Sequence, residues 1–276
     1  MINPNHIKKL PLGQLRRELL ECQVCFNAPN SCAHHEDVVG GYHEGRVVVV
    51  GLNPQAPPNH PVYTAIQSAP WSAKRDLSDR IYEIFLGQTA PNTIHSAWVW
   101  TLADHPGIRP GGWLSMLCTQ LALSEQELVD HVLLVETFKH ATANKGALRS
   151  NPRWKVVSAN CPTWVREQLD RLAPRLIVLC GDDARLHVAP HLLASAAAQR
   201  VAATPITGLH GKTFMSIGPH PKCIMFTIGV SKSSRGWWAQ DRQGTDRVRQ
   251  LIRVAIAGHD PCSPENVEAS RVRPVI

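Results

Sequence analysis

The chain has 276 residues, 43% of them hydrophobic, with 29 Lys and Arg against 22 Asp and Glu, for a formal net charge of +7. That length suits one large domain or two small ones, and that apolar share supplies a sizeable core. No apolar run approaches the roughly 18 residues that span a bilayer, which argues against a membrane protein, and the basic surplus suits a polyanionic partner.

The N-terminal stretch MINPNHIKKLPLGQLRRELLECQVC has no signal-peptide apolar core, so a cytoplasmic protein is expected. Residues 10–21 read as a short amphipathic helix leading into Cys22. Eight cysteines in a chain of that setting argue against a disulfide framework and leave metal ligands or core residues as candidates.

RVVVVG (46–51) is a continuous apolar run, the pattern of a strand covered on both faces. VLLVETF (132–138), RLIVLCG (175–181) and CIMFTIG (223–229) have the same character. Between them the spacing predicts helices: SAKRDLSDRIYEIFLG with Ser72 as N-cap, SEQELVDH with a Ser-x-x-Glu start, and CPTWVREQLDRLA. The last of these puts Cys161, Trp164, Val165, Gln168, Leu169 and Leu172 on one face. GTDRVRQLIRVAIAG closes the fold, and residues 260–276 are expected to form a flexible tail after a single domain over 1–259. Strands alternating with helices predict an α/β class with a mostly parallel sheet. Ligands of such sheets bind at the carboxyl ends of the strands, which directs attention to 51–64, 137–145, 181–185 and 229–236.

In GLNPQAPPNHPVY, Gly51 permits a sharp turn and Pro54 drives Asn53 out of helical conformation, so Asn53 leaves the strand end in a fixed direction. An ordinary Asn-Pro turn has the same residues. Cys22 and Cys25 form a Cys-x-x-Cys before the first strand, Lys139-His140 follows the second, and Cys161 opens the next predicted helix. Cys22, Cys25, Cys32 and His34 or His35 also have the spacing of a zinc site, while Cys161 on an apolar face suits a core residue. Cys118, Cys180, Cys223 and Cys262 read as packing residues or exposed thiols. After the fourth strand stands GVSKSSRGWW (229–238), in which Trp237-Trp238 reads as core, with stacking the alternative.

Taken together, these motifs resemble the uracil-DNA glycosylase superfamily, over roughly residues 20–256 and most closely its iron–sulfur branches. The resemblance implies a three-layer α/β/α fold around a four-stranded, mostly parallel sheet and hydrolysis of an N-glycosidic bond in DNA. By that likeness Asn53 positions the attacking water and Tyr63 stacks on a flipped base, with Gly51, Leu52 and Gln55 lining the base pocket. It further implies a structural four-iron four-sulfur cluster on Cys22, Cys25, His140 and Cys161, with zinc the alternative. Histidine replaces the branches' usual cysteine at 140, as in an offshoot that binds uracil-containing DNA.

Two departures bear on activity. Where the family reads uracil with an Asn amide, this chain has Glu136, a carboxylate that only accepts unless protonated, which puts strict uracil specificity in doubt. The second motif, usually His-Pro-Ser or Asn-Pro-Ser, falls on 229–236 with Gly229 in first place and Ser231 matching the serine; His220-Pro221 is a rival that precedes the strand. Lys232, Ser233, Ser234 and Arg235 have the chemistry of phosphate and groove contact, joined elsewhere by Lys74, Arg75, Lys145, Arg149, Arg153 and Lys155. The expected partner is DNA carrying deaminated bases or abasic sites, bound by a monomer. The rival expectation is a protein that binds such DNA without cutting it.

Overall fold

The computed structural model describes residues 47–51, 113–124, 127–128, 131–138, 149–150, 152–218, 220–230 and 234–263. The sequence-predicted helices at 10–21 and after Trp71 lie outside these residues, as do Cys22, Cys25, Cys32, Leu52, Asn53, Gln55, Tyr63 and His140. Along the chain run β1 (Val47–Gly51), α1 (Trp113–Leu121), β2 (Val132–Glu136), α2 (Trp154–Leu172) and β3 (Leu176–Cys180). A helical stretch follows, α3 (Gly181–Asp183) passing through a π-helical turn at Ala184–Val188 into α4 (Ala189–Leu192). Then come α5 (Ser195–Ala203), α6 (Ile206–Leu209), β4 (Thr213–Met215), β5 (Cys223–Thr227), α7 (Arg235–Gln240) and α8 (Arg242–Ile256).

Contacts divide the chain into two compact units, one holding Val135–Leu172 and the other Gly40–Gly51, Met116–Leu134 and Ala173–Ile276. The sheet has the order β2-β1-β3-β5-β4. β1 pairs with β3 and β3 with β5 in parallel, with Val49 opposite Val178 and Val178 opposite Met225. The class is therefore α/β with a mixed, mostly parallel sheet. All five residues of β1, β3 and β5 are buried, as unbroken apolar runs require. α8 lies against β1 and β3 and presents Val248, Leu251, Ile252 and Ala255 as one buried stripe. Its first turn is capped by Asp241, whose carboxylate accepts from Gly244 N at 2.9 Å.

Three expectations need correction. A fifth strand, β4, pairs antiparallel with β5 through Phe214 and Ile224. Three residues are too short for an alternating pattern to show, and the strand is defined by its pairing along the edge of β5. The second correction concerns α2, which begins at Trp154 and carries Pro162 inside it. Cys161 therefore lies in the body of the helix and does not open it; Pro162 costs one i→i−4 bond and does not set the boundary.

Third, Cys223 and Cys262 form a disulfide with Cα atoms 5.6 Å apart, within bridging range. The compartment argument against disulfides says nothing about a pair that the fold brings together from 39 residues apart. The segment read as tail from Asp260 begins as a turn, with Cys262 N donating to Asp260 Oδ1 at 2.9 Å and Pro261 buried.

The sequence reading of the Ser124–Glu127 start holds. Ser124 N donates to Glu127 Oε2 at 2.8 Å and Glu127 N donates to Ser124 Oγ at 3.2 Å, a reciprocal capping box. The bond from Ser124 N, with help from the Ser124 hydroxyl and Arg253, holds the Glu127 carboxyl below its ordinary value. Arg253 of α8 also pairs with Glu127 and donates to the Ala122 carbonyl, while Arg249 Nε donates to Gln120 O at 2.9 Å.

Candidate functional site at the strand ends

The parallel strands β1, β3 and β5 end at Gly51, Cys180 and Thr227. Cys180 is opposite Thr227 in register, and its thiol donates to Ile228 O at 3.7 Å. Gly181 follows Cys180 directly, and Gly229 stands two residues after Thr227. Gly181 has φ +87°, and a Cβ there meets the Gly229 backbone at 3.6 Å. The carboxyl edge thus presents bare main chain where β3 and β5 leave the sheet, the surface a ligand can approach most closely. Gly229 is different: its Cβ meets only Gly181 Cα, at 3.9 Å. Packing therefore does not demand glycine at the position where the resembled motif has His or Asn.

His210, buried at 5% exposure, fastens this edge to α8. Ile228 N donates to its Nδ1 at 3.3 Å, and the Thr227 hydroxyl lies 3.2 Å from the same nitrogen. Nδ1 is then an acceptor and Nε2 carries the proton, facing Thr245 Oγ1 at 3.2 Å. Thr245 in turn donates to the Trp238 carbonyl at 2.7 Å. Trp238 is buried and meets the imidazole edge-on, ring centroids 4.7 Å apart. Burial pushes the His210 pKa below its ordinary value, against an opposing pull from the Asp241 carboxylate. Gly244 is required beside this ring, since a Cβ there stands 2.7 Å from His210 Cδ2 and 2.5 Å from Asp241 Oδ2.

Of the second-motif residues, Ser231, Lys232 and Ser233 lie outside the described residues. Ser234 is buried, and its carbonyl accepts from Trp237 N and Trp238 N at 3.0 and 3.2 Å to open α7. Arg235 is exposed. The tryptophan pair divides: Trp238 is core, as expected, and Trp237 is 52% exposed. Gly51 is buried at the end of β1, one residue before the segment that carries Leu52 and Asn53. His220 is exposed and precedes β5.

In the other unit, Glu136 is the half-buried last residue of β2. Cys161 is 2% exposed and packs with Phe138, Val157 and Trp154. Phe138 stands two positions before His140 in the chain, and His140 itself lies outside the described residues. The donors are also chemically suitable for iron. Of the proposed ligands only Cys161 is described, and its surroundings are those of an apolar core. Arg149, Arg153 and Lys155 are exposed in this unit.

His210 is the site residue that sequence reading passed over. The signal was a polar residue in LHGKTF just before an apolar strand, but nothing local marks its bonds to residues 17–35 positions away. A scan against protein-family models finds no match, and neither does a search of curated proteins.

Proposed function

We propose that this protein is a DNA glycosylase of the uracil-DNA glycosylase type, removing uracil or another deaminated base and leaving an abasic site. One observation supports this most: the Asn53 segment and the 229–236 segment, distant in sequence, follow the carboxyl ends of β1 and β5 in one sheet, with β3 between them. Segments that follow the carboxyl ends of strands are where such sheets bind ligands. The finer architecture, a three-layer α/β/α glycosylase fold, belongs to the same proposal.

The damaged nucleotide is flipped out of the stack and Tyr63 stacks on the base. The glycosidic bond breaks towards a sugar oxocarbenium and a base anion. Main-chain N–H groups at Gly51, Leu52 and Gln55, together with Ser231, stabilise that anion. Asn53 holds the water that attacks the sugar; positioning suffices, because the cation is reactive and an amide is no useful base. Glu136 accepts from a ring N–H of the base. Lys232, Ser233, Ser234 and Arg235 meet the DNA backbone, as do Lys74, Arg75, Lys145, Arg149, Arg153 and Lys155. Cys22, Cys25, His140 and Cys161 hold a four-iron four-sulfur cluster. When bound, the cluster is structural and ties three distant segments together. Chelatable zinc in a colourless protein would replace this assignment.

The second reading is a damage-binding protein that does not cut. Gly229 favours it, because an electrophilic side chain is missing where packing leaves room for one. Oligonucleotides carrying a single uracil, hypoxanthine or xanthine, treated with protein and then alkali, decide between the two. Base-dependent cleavage supports the glycosylase; gel-shift binding without cleavage supports the binder.

A further inference from the structure

One imidazole is bonded to the chain on both sides of residues 229–233. Before them, β5 ends at Thr227, and the next N–H, that of Ile228, donates to His210 Nδ1 at 3.3 Å. A buried side chain therefore takes over from the strand ladder and sets the course on which the chain leaves the sheet. After them, the Ser234 carbonyl accepts from Trp237 N and Trp238 N, and the Trp238 carbonyl accepts from Thr245 Oγ1 at 2.7 Å. The Thr245 proton is committed to that carbonyl, so its oxygen is left to accept from His210 Nε2–H at 3.2 Å. The ring has no freedom to follow either side. It is buried, and its own backbone is tied to β5, with Gly211 N donating to Phe226 O at 2.9 Å and Phe226 N to Lys212 O at 3.1 Å. Gly211, at φ +74°, lies so close to α8 that a Cβ would stand 2.7 Å from the Gly244 carbonyl oxygen. That approach brings the ring within reach of Thr245.

We propose that His210 is a positioning residue that holds Ile228 and the Ser234–Trp238 turn, the described flanks of the second-motif segment, in one fixed relation. The role needs both nitrogens of one neutral ring, acceptor towards Ile228 and donor towards Thr245. The clamp itself does not depend on the glycosylase reading; its effect on excision rests on that reading. There, displacing the flanks of a segment that stabilises the departing base slows the chemical step more than it weakens binding.

The test is amide exchange of the full chain, followed residue by residue by NMR, with the buried strand residues Val178 and Met225 as internal reference. His210→Ala removes both bonds, Thr245→Val cuts only the arm to Trp238, and Thr245→Ser keeps the hydroxyl. Exchange at Ile228 is expected to quicken about tenfold in His210→Ala and about threefold or more in Thr245→Val, and to stay within about twofold of wild type in Thr245→Ser, with the reference amides unchanged. The nitrogen shifts of wild-type His210 are expected to show a bare Nδ1 and a protonated Nε2. Single-turnover excision of whichever deaminated-base oligonucleotide the wild type cuts is expected to fall about tenfold in His210→Ala and Thr245→Val, with binding within about threefold. If His210→Ala does not fold, the two Thr245 variants carry the same comparison. The proposal is overturned if Ile228 exchange ignores Thr245→Val, if Thr245→Ser behaves like Thr245→Val, or if the wild-type proton sits on Nδ1. Undiminished excision by a folded His210→Ala also overturns it and leaves the glycosylase reading standing. The expected exchange pattern with no excision by the wild type would sink the glycosylase reading and leave the clamp.

Discussion

The imidazole of His210 stays neutral because Ile228 N–H occupies its Nδ1 and burial disfavours a second proton. Its folded pKa lies below the ordinary 6.5, so the unfolded chain binds a proton first as pH falls. Stability from this group is complete above that value, declines as pH drops through it, and levels off below the folded pKa. Urea midpoints taken from neutral to mildly acidic pH should fall in the wild type, and the fall should be shallower in His210→Gln. Gly244 makes a sharper case. A methyl there strikes a ring held at both nitrogens and a capping carboxylate, so Gly244→Ala should destabilise by about 1–3 kcal/mol despite its better helix propensity. An unchanged melting temperature would contradict that packing. At Gly229, by contrast, an added Cβ meets only Gly181 Cα at 3.9 Å, so Gly229→His is expected to fold. If excision is the function, this variant should raise the single-turnover rate by about tenfold or more, the kind of gain one added electrophilic donor gives.

The elements differ in how legible they were. β1, β2, β3 and β5 were legible because sheet burial on both faces writes an unbroken apolar run, and the observed strands fall within the predicted spans. The Ser124–Glu127 box was legible because its partners are three residues apart. The start of α2 was not, because Pro162 reads as a first-turn residue and only tertiary packing of Val157 and Cys161 on Phe138 carries the helix back to Trp154. The helices between β3 and β4 were also missed, and one long-range contact explains how they are held. Arg185, 8% exposed, donates from one nitrogen to the Val201 and Ala202 carbonyls at 2.8 Å, closing the end of α5, and pairs with Asp182 at 2.9 Å. Arg185→Ala should cost about 1–3 kcal/mol, because the buried Val201 carbonyl and the part-buried Ala202 carbonyl lose a charged donor. A denaturant midpoint equal to wild type would show that the end of α5 needs no such cap.

At the scale of the molecule, the Cys223–Cys262 bridge joins residues 39 positions apart and closes a loop that contains β5, α7 and α8. Chain entropy puts its contribution at about 2–4 kcal/mol, so reductant or Cys262→Ala should lower the denaturant midpoint. Equal midpoints with and without reductant would mean the bridge adds nothing. No helix among the described residues is long and apolar enough to cross a membrane. The strand ends Gly51, Cys180 and Thr227 were legible from the apolar runs, while the loop residues Asn53, Tyr63 and Ser231 lie outside the described residues. His210 was not legible, because its role depends on three segments meeting. The proposed function turns on Asn53, two residues beyond the buried strand β1, holding the water that attacks the sugar of a flipped nucleotide. Its most direct test is single-turnover cleavage of deaminated-base oligonucleotides by wild type and Asn53→Ala, with binding measured alongside. The account predicts base-dependent cleavage that falls about 100-fold or more in the variant while binding persists. Cleavage unaffected by Asn53→Ala, or none by the wild type, would contradict it.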